Sequence, residues 1–115
     1  MDRLTKRAEF LRAARGVRRV MPGLTLEICL SGLDTVRVGF TASRKVGNAV
    51  VRNRAKRRLR AVAAEILPLS GQEGTDYVLV ARRDTVTRPF ESLKADLAQA
   101  LSAAHLKLGR PGDVR

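Results

Sequence analysis

SRKVGNAVVRNRAKRRLR, Ser43 to Arg60, holds eight Lys or Arg residues and no acid. A run this basic is either unstructured or bound to a polyanion. Yet Val51, Ala55, Leu59, Val62 and Ile66 recur through it and beyond at steps of four, four, three and four. At about 100° per residue they form a stripe about 80° wide, the mark of one buried helix face. Arg52, Arg54, Lys56, Arg57 and Arg60 fan across the opposite side. Arg58 falls at the stripe's edge, where its stem can lie on apolar surface while its head reaches water. The spacing predicts a helix anchored by a core and turning guanidinium groups outward, an arrangement suited to a nucleic-acid backbone.

Upstream, Asn48 is a natural N-cap after the Gly47 turn. Before it, Val36, Val38, Phe40 and Ala42 alternate with Arg37, Gly39, Thr41 and Ser43, a strand feeding the helix. Ser31-Gly32-Leu33-Asp34 is the turn from an earlier strand in which Leu24, Leu26, Ile28 and Leu30 alternate with Thr25, Glu27 and Cys29. Val17–Met21 reads as a short strand ended by Pro22-Gly23, and Leu4 to about Arg15 as a helix with Leu4, Ala8 and Leu11 at helical spacing. Downstream, Pro68 is expected to stop the basic helix. Tyr77–Ala81 (YVLVA) reads as a strand covered on both faces. A last helix starts near Pro89, carries the stripe Phe90, Leu93, Leu97, Leu101, Ala104 and Leu108, and ends at Gly109 and Pro111.

The order gives an α+β fold, an αβββαβα sandwich with a small mixed sheet packed by helices. At 115 residues the chain is expected to be one domain over 1–115. The strand at 36–45, the basic helix and the strand at 77–81 form a β-α-β unit, whose crossover is right-handed by the general rule.

A net charge of +12 is the electrostatic footprint of a nucleic-acid binder. The charge is also lopsided. Residues 1–19 hold seven Lys or Arg, and residues 61–81 hold none. Cys29 is the only cysteine, which excludes an internal disulfide and predicts a buried, inert thiol. No apolar run approaches the length of a membrane span, and the N-terminus lacks an apolar signal segment, so a soluble cytoplasmic protein with no membrane partner is expected.

A search for catalytic groups comes back nearly empty. No acids gather as a two-metal nuclease site requires, so a self-sufficient nuclease is disfavoured. His105 is the single histidine and reads as a surface or boundary residue. No phosphate-binding glycine loop is present. Four aromatics, Phe10, Phe40, Tyr77 and Phe90, are too few for a base-stacking sheet, and the last three read as core. Phe10, beside Arg7 and Ala14 on the short first helix, serves either stacking or packing. Basic residues with little base-reading equipment favour a folded RNA recognised by shape and phosphate.

The segment Ser43–Arg57, with Arg52-Asn53-Arg54 at its centre, resembles the signature of the bacterial ribonuclease P protein component. The resemblance runs from Leu4, Phe10 and Gly16 through Arg37-Val38-Gly39 to Asp76-Tyr77 and the final helix. It implies a partner that is a catalytic RNA, a holoenzyme that removes the 5′ leader of precursor tRNA, and one protein per RNA. No cofactor is expected on this chain, and the magnesium ions are expected on the RNA. The family's crossover is left-handed, against the general rule.

By resemblance, Arg52, Asn53, Arg54, Lys56, Arg57 and Arg60 face the RNA core, with Ser43, Arg44 and Lys45 at the polar strand end before them. Phe10 corresponds to a cleft aromatic that stacks on the leader, with Val36, Val38 and Phe40 as its neighbours on the sheet. Ala14 stands where relatives often carry a second aromatic, and Leu24 and Glu27 lie in a strand where aromatics are also common. The alternative is a ribosomal or other structural RNA-binding protein of related fold, with no part in cleavage.

Overall fold

A computed structural model describes residues 1–109. In chain order it contains β1 (Asp2–Arg3), α1 (Arg7–Ala14), β2 (Val17–Val20), β3 (Leu24–Leu30), β4 (Val36–Thr41), α2 (Ala49–Ser70), β5 (Thr75–Ala81) and α3 (Phe90–Leu108). One turn of 3₁₀ helix follows β4 at Arg44–Val46, and another follows β5 at Arg83–Thr85. The strands form one mixed sheet in the order β1-β4-β5-β3-β2. β4 runs parallel to β1 and β5, while β3 runs antiparallel to β5 and β2. The α+β sandwich is therefore present, with a two-residue parallel strand added at one edge.

The two sheet faces carry different loads. Leu24, Leu26 and Ile28 of β3, Val38 of β4 and Tyr77 and Leu79 of β5 meet α2 and α3 in the main core. Ala55, Leu59, Val62, Ala63 and Leu67 are the buried positions of α2. The buried stripe thus follows the expected one from Ala55 through Val62, then passes through Ala63 and Leu67, leaving Val51 and Ile66 half-buried. Asn48 caps α2 by accepting the Val51 N–H at 3.0 Å.

Two expectations need correction. Pro68 does not stop α2, which runs on to Ser70 with Pro68 inside its last turns. Its missing donor would have served the carbonyl four residues back, at Ala64, an exposed position where water can take its place. The first helix begins at Arg7 rather than Leu4. Asp2 and Arg3 pair with β4, and Leu4 donates to the Val38 carbonyl at 2.9 Å, which keeps the segment extended. The Glu9 carboxylate then accepts the Thr5 and Lys6 N–H groups at 3.1 and 2.9 Å and opens the helix there. Ala8 and Leu11 consequently face solvent, while Phe10 and Ala13 turn to the sheet. Pro111 lies outside the described residues.

On the second face, Leu4, Ala13, Cys29 and Val78 form a small cluster joined by Phe10 and Val80. Cys29 is buried there, and burial pushes its thiol above the usual range, as expected of an inert cysteine. Beside it lies Asp76, fully buried. Its carboxylate receives Arg37 Nε and Nη2 at 2.8 and 2.7 Å and Arg12 Nη2 at 3.0 Å. Arg37 also donates to Glu9 at 2.6 Å, so one network fastens α1 to β4 and β5.

His105 is half-buried at the sheet's opposite face, with Nε2 2.7 Å from the Tyr77 hydroxyl, and burial lowers its pKa. Two outcomes follow. Asp76→Ala leaves Arg37 without its main partner and should cost about 3–5 kcal/mol in denaturant unfolding. The unfolded chain protonates His105 near its ordinary pKa of 6.5 while the folded chain resists, so stability should fall as pH drops through that value. Urea midpoints measured between pH 7.5 and 5.5 should show that loss in the parent and a flatter profile in His105→Gln.

Candidate nucleic-acid interface

The strand-to-helix passage is built in three short steps. Ser43 ends the extended segment, Arg44–Val46 makes a single 3₁₀ turn, and Gly47 enters α2 with φ +154°. That angle and the Val51 side chain, 2.8 Å from where a Cβ would sit, leave room only for glycine. The turn places Ser43, Arg44 and Lys45 against the first turns of α2, all three exposed.

Along α2, Asn53, Arg54, Arg57 and Arg60 are exposed, and Arg52 and Lys56 half-exposed. Arg60 lies over the Phe40 ring, 5.7 Å from its centre, which holds its guanidinium toward the sheet edge. Arg58 departs from the expectation that its head reaches water. Its Nη1 donates to the carbonyls of Thr85 and Val86 at 2.5 and 2.8 Å, tying α2 to the turn after β5. It is a tether within the fold.

Charge pairing separates two populations of cations. Arg12, Arg37, Arg88 and Lys94 are taken up by Asp76, Glu9, Asp96, Glu65 and Glu91. Among the described residues, none of Arg44, Lys45, Arg52, Arg54, Lys56, Arg57 and Arg60 has a carboxylate within salt-bridge distance. Their charge is left for something outside the chain. No group of three His, Cys, Asp or Glu side chains is placed to hold a metal ion among those residues.

A cleft continues from this ridge across the α1 face of the sheet. Strand register sets its floor in rows. Arg37, Asp76 and Cys29 form the first, under α1. Gly39, Val78, Glu27 and Arg18 form the second, and Thr41, Val80, Thr25 and Val20 the third. Phe10 overhangs the second row. A Cβ on Gly39 would meet its ring at 2.5 Å, so glycine here is what lets the aromatic lie on the strand. Ala14, one turn after Phe10, is exposed at the end of α1.

Val36, Val38 and Phe40 do not join Phe10. Side chains alternate along a strand, and these three point to the opposite face, into the core under α2 and α3. The sheet neighbours of Phe10 are instead Gly39 and Val78.

At its open end the cleft becomes a groove lined by Arg18, Thr25, Ser43, Lys45, Arg82 and Arg83, among others. Arg82 and Arg83 were not singled out in the sequence. Because β4 and β5 are parallel neighbours, the basic pair after β5 lands beside the basic pair after β4. Arg83 Nε donates to the Lys45 carbonyl at 3.3 Å. In a β-α-β unit, both strands deliver their C-terminal residues to one edge, a recurrent place for ligands.

The family model for ribonuclease P matches residues 1–105. The ribonuclease P protein component of Paramagnetospirillum magneticum is 49% identical over 107 residues, covering 88% of this chain and 80% of that protein. Its counterpart from Ruegeria pomeroyi is 48% identical over 106 residues, covering 89% and 85%. Among solved structures, the Staphylococcus aureus RNase P protein superposes with a TM-score of 0.72 at 26% identity, covering 90% of this chain and 95% of that one. The Thermotoga maritima protein superposes with a TM-score of 0.75 at 24% identity, covering 90% and 97%, a likeness of fold.

If the unpaired ridge meets phosphate, the joint change Arg52→Ala, Arg54→Ala and Arg57→Ala should weaken RNA binding and reduce its log–log salt slope by about one unit per lost contact. Filter-binding titrations across a salt series test this. An unchanged slope rules out phosphate contact at these positions.

Proposed function

The chain belongs to the ribonuclease P protein family, and from that premise we propose that it is the protein subunit of a ribonuclease P holoenzyme. In this reading it binds the catalytic RNA through Ser43–Lys45 and the α2 residues Arg52, Asn53, Arg54, Lys56, Arg57 and Arg60. It receives the 5′ leader of precursor tRNA in the cleft between α1 and the sheet. The observation that carries the proposal is the contrast in pairing: internal cations are matched by carboxylates, whereas the ridge and strand-end cations are not. A surface of unmatched guanidinium groups lowers the repulsion between two polyanions brought together, here the RNA subunit and its substrate.

The cleavage chemistry is assigned to the RNA, together with its magnesium ions. Among the described residues no three His, Cys, Asp or Glu side chains converge, and the reading places no magnesium on this chain. The chain's own part is to bind and orient. Phe10 presents a ring at the cleft for a leader base, and the groove of Arg18, Lys45, Arg82 and Arg83 receives the phosphates on either side of it. With a single aromatic in α1, base stacking is limited to one ring there, worth about 1–3 kcal/mol. One protein per RNA, acting in the cytoplasm, completes the reading.

A reconstitution assay tests it. Added to a bacterial ribonuclease P RNA, the protein should restore leader cleavage at low magnesium, and without that RNA it should cleave nothing. A structural RNA-binding protein would bind but fail to restore cleavage. In the holoenzyme, Phe10→Ala should weaken binding of leader-bearing precursor about 5- to 150-fold while leaving mature tRNA unaffected. Equal losses for both make Phe10 a packing residue only.

A further inference from the structure

The end of the fold opposite the basic edge carries the opposite charge. β4 and β5 start side by side at Val36 and Thr75 and run together to Thr41 and Val80, about 17 Å along the strands, before the cationic turns. At the starting end a recess of about 450 Å³ is lined by Asp2, Asp34 and Glu73 and by the apolar Met1, Val36 and Pro68, among others, with no Lys or Arg. All three acids are exposed. Among the described residues none of them has a Lys, Arg or terminal amine within salt-bridge distance. The chain supplies no cation nearby in sequence either, since residues 61–81 hold none.

Backbone and polar side chains add charge of the same sign. α2 ends at this recess, and its last turn carries no basic residue. The Gly71 N–H donates to the Leu67 carbonyl at 2.7 Å, and the closing carbonyls beyond it form the negative end of the helix dipole. Among the described residues, three of the four buried side-chain polar atoms without a partner gather at this end. They are Thr35 Oγ1 in the wall of the recess, Gln72 Oε1 in the loop after Gly71, and Oγ1 of the fully buried Thr75, in register beside Val36. The Gln72 oxygen can only accept a hydrogen bond, and both hydroxyls are able to.

These features select among occupants. Three carboxylates repel phosphate, so a nucleic acid does not belong here. No three acidic side chains converge as a bound metal ion requires, among the described residues. What remains is a set of separate carboxylates rimming an apolar wall, and that suits cations carried on long stems beside an aliphatic group. Leu33 and Leu69, next in the chain to Asp34 and Pro68, are 48% and 91% exposed and extend the apolar surface. We propose that this end of the fold docks a protein partner through a segment in which Lys or Arg flanks an aliphatic residue. The cations answer Asp2, Asp34 and Glu73, and the aliphatic side chain lies on Met1, Val36 and Pro68. Because the two charged ends sit at opposite ends of β4 and β5, this partner and an RNA on the basic edge are held at the same time.

The test titrates the capped peptide acetyl-Lys-Leu-Lys-Arg-amide into the isotope-labelled chain and follows backbone amide resonances. A net charge of +12 disfavours binding of a cationic peptide anywhere else on the free protein. The amides of Asp34, Thr35, Gly71 and Glu73 should shift, and those of Arg44 and Lys45 should stay in place. The joint change Asp34→Asn and Glu73→Gln should weaken binding about 2- to 30-fold, the worth of two exposed charge pairs, with resonance dispersion showing that the variant is folded. Replacing the peptide's Leu by Gly should weaken it as well. Unmoved amides at this end, or equal affinity in parent and variant, overturn the proposal. If spermidine, a cation with no aliphatic side chain, moves the same amides as strongly as the peptide, the site takes a polyamine and the protein partner falls. Leader cleavage by the reconstituted holoenzyme should be unchanged in the double variant. A loss there makes this end part of the RNA-facing surface and also overturns the proposal.

Discussion

The carboxylate of Asp76, buried beneath α1 and shared by Arg37 and Arg12, is the interaction on which the working surface depends. Its two-pronged bond from Arg37 joins β4 to β5 across their parallel register, and Arg12 and Glu9 bring in α1. A helix of eight residues has little capacity to stand alone in water, and α1 contributes only Ala13 and part of Phe10 to its cluster. The ion network therefore does what a larger apolar face does for α2 and α3. It fixes the helix at one end of the sheet with Phe10 reaching over the second row, and Thr25 and Val80 of the third row are left to line the groove.

The same division of labour governs the cations. A chain with 23 Lys and Arg against 11 Asp and Glu has too few acids to neutralise itself. Several of the acids it does have are spent at joints between elements: Asp76 under α1, Asp96 between α3 and the Gly23 turn, Glu65 and Glu91 around Lys94. Much of the unmatched remainder collects where β4 and β5 end and along the exposed side of α2, and more of it lies around α1, at Lys6, Arg7 and Arg15.

How much of this the sequence discloses depends on the range of the interaction. The α2 stripe, its Asn48 cap and the alternation of β3 are local patterns, and they appear in the structure close to where periodicity puts them. The α1 stripe departs from its local periodicity because two residues of β1 hold Leu4 in an extended strand connection, a pairing with β4 some 35 positions away. Alternation in β4 separates Val36, Val38 and Phe40 from Arg37 and Gly39, but it does not tell which set lies under which helix. The resemblance puts the first set with Phe10, whereas it lies in the opposite core. Arg82 and Arg83 carry no local signal for a similar reason. Their proximity to Lys45 exists only in the parallel register of β4 with β5.

That parallel pairing has a consequence for how the molecule holds together in isolation. It forces two basic turns and the start of a basic helix onto one edge, so the free protein carries a concentrated self-repulsion there. Anything that binds the native arrangement and not the unfolded chain adds to native stability by mass action, and a polyanion laid on this edge also removes the repulsion. The partner is in this sense the missing counterion of the fold.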